Sequence, residues 1–460
     1  MGHKTVPPAA EAEHTAWVGG AGRIGDADRV GDAGQVCGAD RVGGAALAGG
    51  ADSAGEADRD GGAGQAGGAV RASGVGEMAR AGARLVGVDL ARGIAVLGMF
   101  AAHVGPDAGR GGGIGFVMEL THGRSSALFA FLAGFSILLI TGRRAAKTGR
   151  DGRQAVVKVL IRAGILLVLG TALTALGTAV EVILAYYGLY FLLALPLRRL
   201  RAVTLAVVAT VSALVLPQLW FAVLAQDTGW IDAVNRFDPL AWASGRGDPI
   251  GSAGGLTGLL LTGSYPALSW LPFVIAGMAV ARLDLSATVI RVRLALTGVG
   301  LALLGYGGSA LALQLSPGET TPFGIMNAPW WSDLAEDPPG WRYRLSAIPH
   351  SESTFSILGN TGVAITVLVA CLAACDGSRR FRRLATPLIA VGTMSLTAYV
   401  FHVAAIAALG FDTLPADSLP VLLGLSVIIL MFAACWTQFF RRGPLEWLLN
   451  RATAVAHRVL

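Results

Sequence analysis

Three ionisable side chains interrupt the apolar run from Gly87 to His103: Asp89, Arg92 and His103 itself. In a lipid-spanning helix such a group costs roughly 2.5–3.5 kcal/mol at mid-depth, so each one needs a reason. Asp89 and Arg92 stand three apart, on one helical face, where they can pair. That pair either fixes the helix or helps to hold a ligand. His103 closes the run, at a helix end where an imidazole could simply meet water. The next run opens Thr121-His122-Gly123-Arg124-Ser125-Ser126. An imidazole titrates near neutrality, so His122 is suited to take a proton from an attacking hydroxyl or amine. It could also be a structural residue at an interface. Glu181, Tyr265, His350, Glu352 and His402 are further candidates within or beside apolar runs. Arg162, inside another run, could pair with Asp89 or hold an anionic cofactor. No Walker loop, His-x-x-x-Asp motif or HExxH sequence occurs. Cys37, Cys371, Cys375 and Cys435 form no CxxC pair, so neither a disulfide framework nor a metal site is expected.

The elements that must position these residues are membrane helices. Of 460 residues, 53% are hydrophobic and only 14% are charged, against roughly 25% charged in a soluble domain. The net charge of +6 lies in short Lys/Arg clusters between apolar runs, which excludes the basic stripe of a nucleic-acid-binding surface. From residue 84 onward, runs long enough for a ~30 Å hydrocarbon core recur. They predict about ten spans, near 85–104, 119–141, 154–174, 177–197, 202–224, 257–282, 291–314, 354–375, 384–408 and 418–439. The sixth holds Pro266 and Pro272, so its first half could be re-entrant. Arg80 and Arg84 precede the first span, and Arg143, Arg144 and Lys147 follow the second. Arg198, Arg199 and Arg201 follow the fourth, and Arg282 and Arg291 the sixth. Arg379, Arg380, Arg382 and Arg383 follow the eighth, and Arg441 and Arg442 the tenth. Every even-numbered span thus ends in a basic cluster, and the positive-inside rule puts both termini in the cytoplasm. The expected fold class is therefore an all-α polytopic protein of the cytoplasmic membrane. Its external side carries His122, Glu181, Tyr265, His350 and Glu352, and Arg162 lies nearer the cytoplasm.

Residues 1–80 repeat Gly, Ala, Asp and Arg with few aromatics, a composition that cannot offset the entropy of ordering. They predict a disordered cytoplasmic tail, or an overextended start site, and they lack the apolar core of a secretory signal. The remainder divides into a membrane bundle over 84–224, an external loop over 225–256 and a second bundle over 257–450. The second bundle includes a loop over 315–353, and a short cytoplasmic tail covers 451–460. Trp230, Trp242, Trp330, Trp331 and Trp341 fall in or near the long loops, as interfacial anchors or as a substrate-facing cap.

Val88-Asp89-Leu90-Ala91-Arg92-Gly93, then His122, then Phe129-x-Phe131-x-x-Gly134-x-Ser136 resembles the catalytic domain of heparan-α-glucosaminide N-acetyltransferases and their bacterial relatives. The later half resembles the bacterial YeiB family. It does so through Ser264–Trp270, Ala276-Gly277-Met278 to Arg282, Gly392–Tyr399 and Arg442-Gly443-Pro444-Leu445-Glu446-Trp447. Together the motifs span most of residues 84–450. The resemblance implies acyl transfer across a membrane, with acetyl-CoA or another acyl-CoA as donor and a glycan or small molecule as acceptor. His122 falls on the family's catalytic histidine, whereas His103 stands where the family has asparagine. On this expectation His122 is the general base, and His103, Glu181, Tyr265 and His350 support it or bind the acceptor. Asp89 and Arg92 order the first helix, as an ion pair or as part of the cofactor site, and Arg162 neutralises cofactor phosphate. Membrane lipid is a partner, nucleic acid is not, and a homo-oligomer is left open. A transporter or flippase of an envelope metabolite is the alternative, and a scaffold for another envelope enzyme is the third.

Overall fold

The computed structural model describes residues 85–107, 111–178, 180–225, 255–316, 341–410 and 418–458, with a few isolated positions between 230 and 239. The predicted tail, Cys37, and most of the two long loops, with Trp242, Trp330 and Trp331, lie outside the described residues. Every regular element among the described residues is helical. In chain order they are α1 (Val86–Val104), α2 (Gly112–Thr121), α3 (Arg124–Thr141), α4 (Gly149–Thr174), α5 (Leu184–Ala194) and α6 (Ala202–Leu224). α7 (Gly255–Thr262), α8 (Ala267–Ala281), α9 (Thr288–Leu315) and α10 (Thr354–Gly377) follow. The chain closes with α11 (Arg379–Leu384), α12 (Thr386–Thr393), α13 (Ser395–Ala408), α14 (Leu419–Phe439) and α15 (Pro444–Thr453).

Seven of these helical stretches are long and apolar enough to cross a membrane, the second being α2 and α3 together, Gly112–Thr141. Two further spans arise if each bent pair counts as one: α7–α8, bent by 67°, and α12–α13, bent by 87°. Among the described residues seven to nine stretches therefore meet that length and apolarity. The predicted fourth span is not among them because α5 has only 11 residues and continues as a 3₁₀ turn over Leu195–Arg199, yet it brings the chain back to the end that holds Arg282. The backbone before it is irregular but buried, with Val180, Val182 and Ile183 at most 2% exposed. Irregular backbone at such depth needs internal partners, and the Ile183 N–H donates to the Tyr399 hydroxyl at 3.0 Å. The sixth predicted span is the broken pair α7–α8, which turns at Gly263–Pro266.

α1, α3, α8 and α10 form the middle of the bundle, with α6 against α8, α5 against α4, and α9 against α10. Two crossings explain why the quoted motifs carry glycine. A Cβ on Gly277 of α8 would fall 1.8 Å from the Phe131 carbonyl oxygen of α3, and one on Gly134 1.9 Å from that of Val274. In the same way, a Cβ on Gly392 of α12 would fall 1.7 Å from the Asp89 carbonyl oxygen of α1, with Gly93 facing Leu388 in return. Small residues that let backbones touch are the usual currency of helix association in lipid. Lipid-facing positions such as Val168, Val203, Leu296 and Met431 remain exposed and apolar.

Candidate functional site

His122 sits where the second span breaks. α2 ends there in extended backbone (ψ 127°), Gly123 takes a left-handed φ of 66°, and α3 starts at Arg124. The break turns the imidazole inward, leaving it 7% exposed. Its Nδ1 lies 2.8 Å from the Met118 carbonyl oxygen, which can only accept. Nδ1 therefore carries the proton, and in the neutral ring the lone pair is on Nε2. Gly123 is pressed against Pro349, so the turn bearing His122 abuts the segment bearing His350.

That segment runs from Ser346 to Ser353. Ser346, Ser351 and Ser353 are fully buried, and the Ser351 and Ser353 hydroxyls both donate to the Ser346 carbonyl. His350 (φ 58°) and Glu352 (φ 54°) are the non-glycine residues with positive φ among the described residues. Each such conformation costs on the order of 1–3 kcal/mol and persists only where its surroundings enforce it. Here the enforcement comes from the side chains themselves. His350 Nδ1 donates to the Ser264 carbonyl at 2.9 Å, which again puts the lone pair on Nε2. The ring meets Tyr265 edge-on at 5.1 Å and Trp270 at 5.8 Å. The Glu352 carboxylate accepts from Trp270 Nε1 at 2.8 Å and from the Ser269 hydroxyl. Burial pushes this carboxyl up to about 7, against the two hydrogen bonds that favour its ionised form. Burial likewise holds the His350 imidazole below its ordinary value, opposed by its bond to Ser264 and reinforced by the nearby His122 charge.

Around this segment stands a wall of aromatic hydroxyls. Tyr265 is bonded through its hydroxyl to the Ser126 side chain, and its backbone carbonyl accepts from Tyr190 at 2.6 Å. Glu181 is close enough for its charge to act on Tyr186, Tyr265 and Tyr399. His103 does not meet water. It is 4% exposed, and its Nδ1 lies 3.0 Å from Nε2 of His402 on α13. His402 in turn stacks on Phe100 and meets Tyr399 edge-on at 4.8 Å. The imidazoles of His402, His122 and His350 all lie within electrostatic reach of His103, and that of His122 within reach of His350. The fold thus gathers His122, His103, Glu181, Tyr265 and His350 at one end of the bundle. Among the described residues no group of three or more His, Cys, Asp or Glu side chains could hold a metal ion.

The remaining predicted residues lie elsewhere. Arg92 bonds Asp89 at 3.1 Å and the Ser136 hydroxyl at 2.7 Å. Arg162 does not pair with Asp89; its guanidinium reaches the Asn450 side chain of α15 at 3.0 Å. Arg92 and Arg162 line one cavity of about 320 Å³, whose far wall includes Phe129, Tyr187 and Tyr399. Tyr399 is therefore shared: it borders the arginine cavity and touches His402 of the histidine cluster. The same cavity is also lined by Glu446, which the predicted site residues did not include. Its carboxylate accepts from the Leu396 and Thr397 N–H groups at 2.7 and 3.1 Å and from the Thr397 hydroxyl at 2.6 Å. It thereby caps the N-terminus of α13 at the 87° break, where unsatisfied N–H groups favour an anion. In the sequence Glu446 appears only within the Arg442–Trp447 motif, as an acid in the first turn of a helix opened by Pro444. That pattern says nothing of a second helix fifty positions upstream.

These spans, with ionisable groups gathered inside them, define a polytopic all-helical membrane protein. Residues 341–456 match the family model described as a protein of unknown function, DUF418, a family of uncharacterised, YeiB-like membrane proteins. The matched stretch carries His350, Glu352, Tyr399, His402 and Glu446, and it lies within the half whose motifs resemble YeiB. No curated protein matches the chain.

Proposed function

We propose that this protein is a membrane-embedded acyltransferase, moving an acetyl or other acyl group from acyl-CoA to a hydroxyl or amine of an envelope glycan or related acceptor. The observation that carries the reading is His122: a buried imidazole whose Nδ1 proton is committed to a backbone carbonyl, with the basic Nε2 in a site of polar groups. In the proposed step Nε2 takes the proton as the acceptor's oxygen or nitrogen attacks the thioester carbonyl. The tetrahedral intermediate collapses with loss of the thiolate, which takes up the proton from His122. Tyr265, held by Ser126 and Tyr190, and His350, held by Ser264, orient the acceptor.

The donor's arm is assigned to the arginine cavity, whose volume lies at the lower end of the roughly 300–1,000 Å³ of ligand pockets. Arg92 and Arg162 supply the charge that phosphate groups of a CoA ester require. On the positive-inside reading this cavity opens toward the cytoplasm and the histidine cluster toward the outside, in the cell's cytoplasmic membrane. The bent pairs α7–α8 and α12–α13 favour a second reading, because discontinuous helices recur at the substrate sites of transporters.

One experiment separates the two. Purified protein is tested for acetyl-CoA binding and slow hydrolysis, beside His122→Ala. Acyl transfer requires binding in both and hydrolysis lost in the variant by about a hundredfold or more, the range of general-base contributions. Absence of binding to any acyl-CoA, with metabolite flux in proteoliposomes, would make the protein a transporter.

A further inference from the structure

Away from both sites, a second cavity of about 790 Å³ opens on the flank of the bundle between α1, α10, α12 and α14. Leu90, Ile94, Val367, Ala374, Leu388 and Leu430 are among its walls, and the lining is almost wholly apolar. It is not a core void, because Ile94 at 38% exposure opens outward. At one end it is bounded by α11, the six-residue helix Arg379-Arg380-Phe381-Arg382-Arg383-Leu384. Phe381 and Leu384 turn into the groove, yet remain 40% and 83% exposed. The four arginines between and beside them are exposed. None of the four makes a side-chain hydrogen bond or ion pair with any described residue. Elsewhere on the same end basic side chains are engaged: Arg143 and Arg282 bond backbone carbonyls, and Arg291 pairs with Asp376.

We propose that this groove is a binding site for an anionic glycerophospholipid, its acyl chains lying along α1 and α10 and its phosphate held by the arginines of α11. The chemistry on each side of the helix selects that occupant. The groove offers almost no polar surface to a polar metabolite, so its contents are hydrocarbon. The rim offers four cations with no counter-ion among the described residues, so the head attached to that hydrocarbon is anionic. Basic pockets between membrane helices at the level of the headgroups recognise lipids in this manner, each cation adding to retention. A zwitterionic lipid fits the groove but brings no net charge to the arginines.

The test uses the full-length protein in phosphatidylcholine nanodiscs into which phosphatidylglycerol is titrated, with bound lipid read by native mass spectrometry. Wild type is expected to retain phosphatidylglycerol in preference to phosphatidylcholine. Replacing Arg379, Arg380, Arg382 and Arg383 by Gln should weaken retention by more than about tenfold. Ala374→Phe leaves every arginine in place but fills the groove, and should lose the lipid to a similar degree. Retention unchanged in Ala374→Phe would mean that lipid merely coats a basic surface, and the groove site would be wrong. Retention unchanged in the arginine variant, or a lipid-free dimer seated through this flank, would equally overturn it. Helical content measured on both variants distinguishes loss of lipid from loss of fold.

Discussion

At the scale of the residue, the segment His350–Glu352 makes the sharpest claim, because two left-handed non-glycine residues flank one serine there. A conformation that costs free energy is kept by what its side chains hold, here the Ser264 carbonyl for His350 and Trp270 with Ser269 for Glu352. Glu352 titrates near 7 in the folded protein and near 4.5 as an ordinary carboxyl. A carboxyl raised in this way binds more protons folded than unfolded between those values. Its contribution to stability is therefore greatest below about pH 4.5, falls as the pH rises through that window, and is flat above about 7. His350, held below its ordinary value, works in the opposite sense as the pH falls, so wild type alone would blur the effect. The thermal midpoint of wild type minus that of Glu352→Gln isolates it. That difference should rise as the pH is lowered from 7 toward 5, and a flat difference would mean that the carboxyl is ionised throughout. Type and order of these residues were visible in the sequence, which brought forward His122, Tyr265, His350 and Glu352. What was not visible is that His103 turns inward to His402, since a histidine at a helix end looks the same whether it faces water or a ring.

At the scale of the element, spans were readable wherever one helix carried the whole apolar run, as in α1, α4, α6, α10 and α14. They were less fully readable where the helix covers only part of the apolar run. Over 177–197 the helix begins only at Leu184, after the buried irregular backbone at Val180, Val182 and Ile183, and apolar content alone does not separate such buried chain from helix. The break between α12 and α13 was likewise silent, because the apolar run is continuous across it and Met394 is no helix breaker. What holds the break lies elsewhere in the chain. Glu446 satisfies two N–H groups of α13 and one hydroxyl, so the half-helix has its anion supplied from α15. Glu446→Ala is expected to lower stability by about 1–2 kcal/mol, the cost of a lost cap with partly buried charge–dipole contact. A fall in thermal midpoint should follow, with Glu446→Gln intermediate because an amide keeps one acceptor but not the charge. An unchanged midpoint in both would show the cap to be replaced by water. The same residue lines the arginine cavity, so the alanine variant should also alter acyl-CoA affinity if that cavity holds the donor.

At the scale of the whole molecule, sidedness decides which end of the bundle can meet acyl-CoA. The charge pattern reached it by parity: basic clusters after every even-numbered span. The fold supplies an independent constraint that no local pattern could carry, because it joins connections far apart in the chain. Arg282, after α8, donates to the carbonyls of Gly142 and Arg143, after α3, and of Arg198 and Leu200, after α5. Arg291, opening α9, pairs with Asp376 at the end of α10, and Lys158 of α4 reaches His457 past α15. These basic connections are thus tied into one end of the bundle, whatever membrane surrounds it. The irregular count of helices does not disturb this, since a short α5 or a bent α12–α13 still returns the chain to the same end. Reporter fusions placed after Ala145, Arg201, Ala287 and Gly377 should accordingly all report the cytoplasm, and fusions after Gly105, Gly177 and Ser316 the opposite side. One basic junction reporting outside would contradict a knot whose hydrogen bonds require all of them together. All of them reporting outside would keep the fold and invert the protein, placing the arginine cavity where no acyl-CoA is supplied, and the acyltransferase reading would then give way to the transporter.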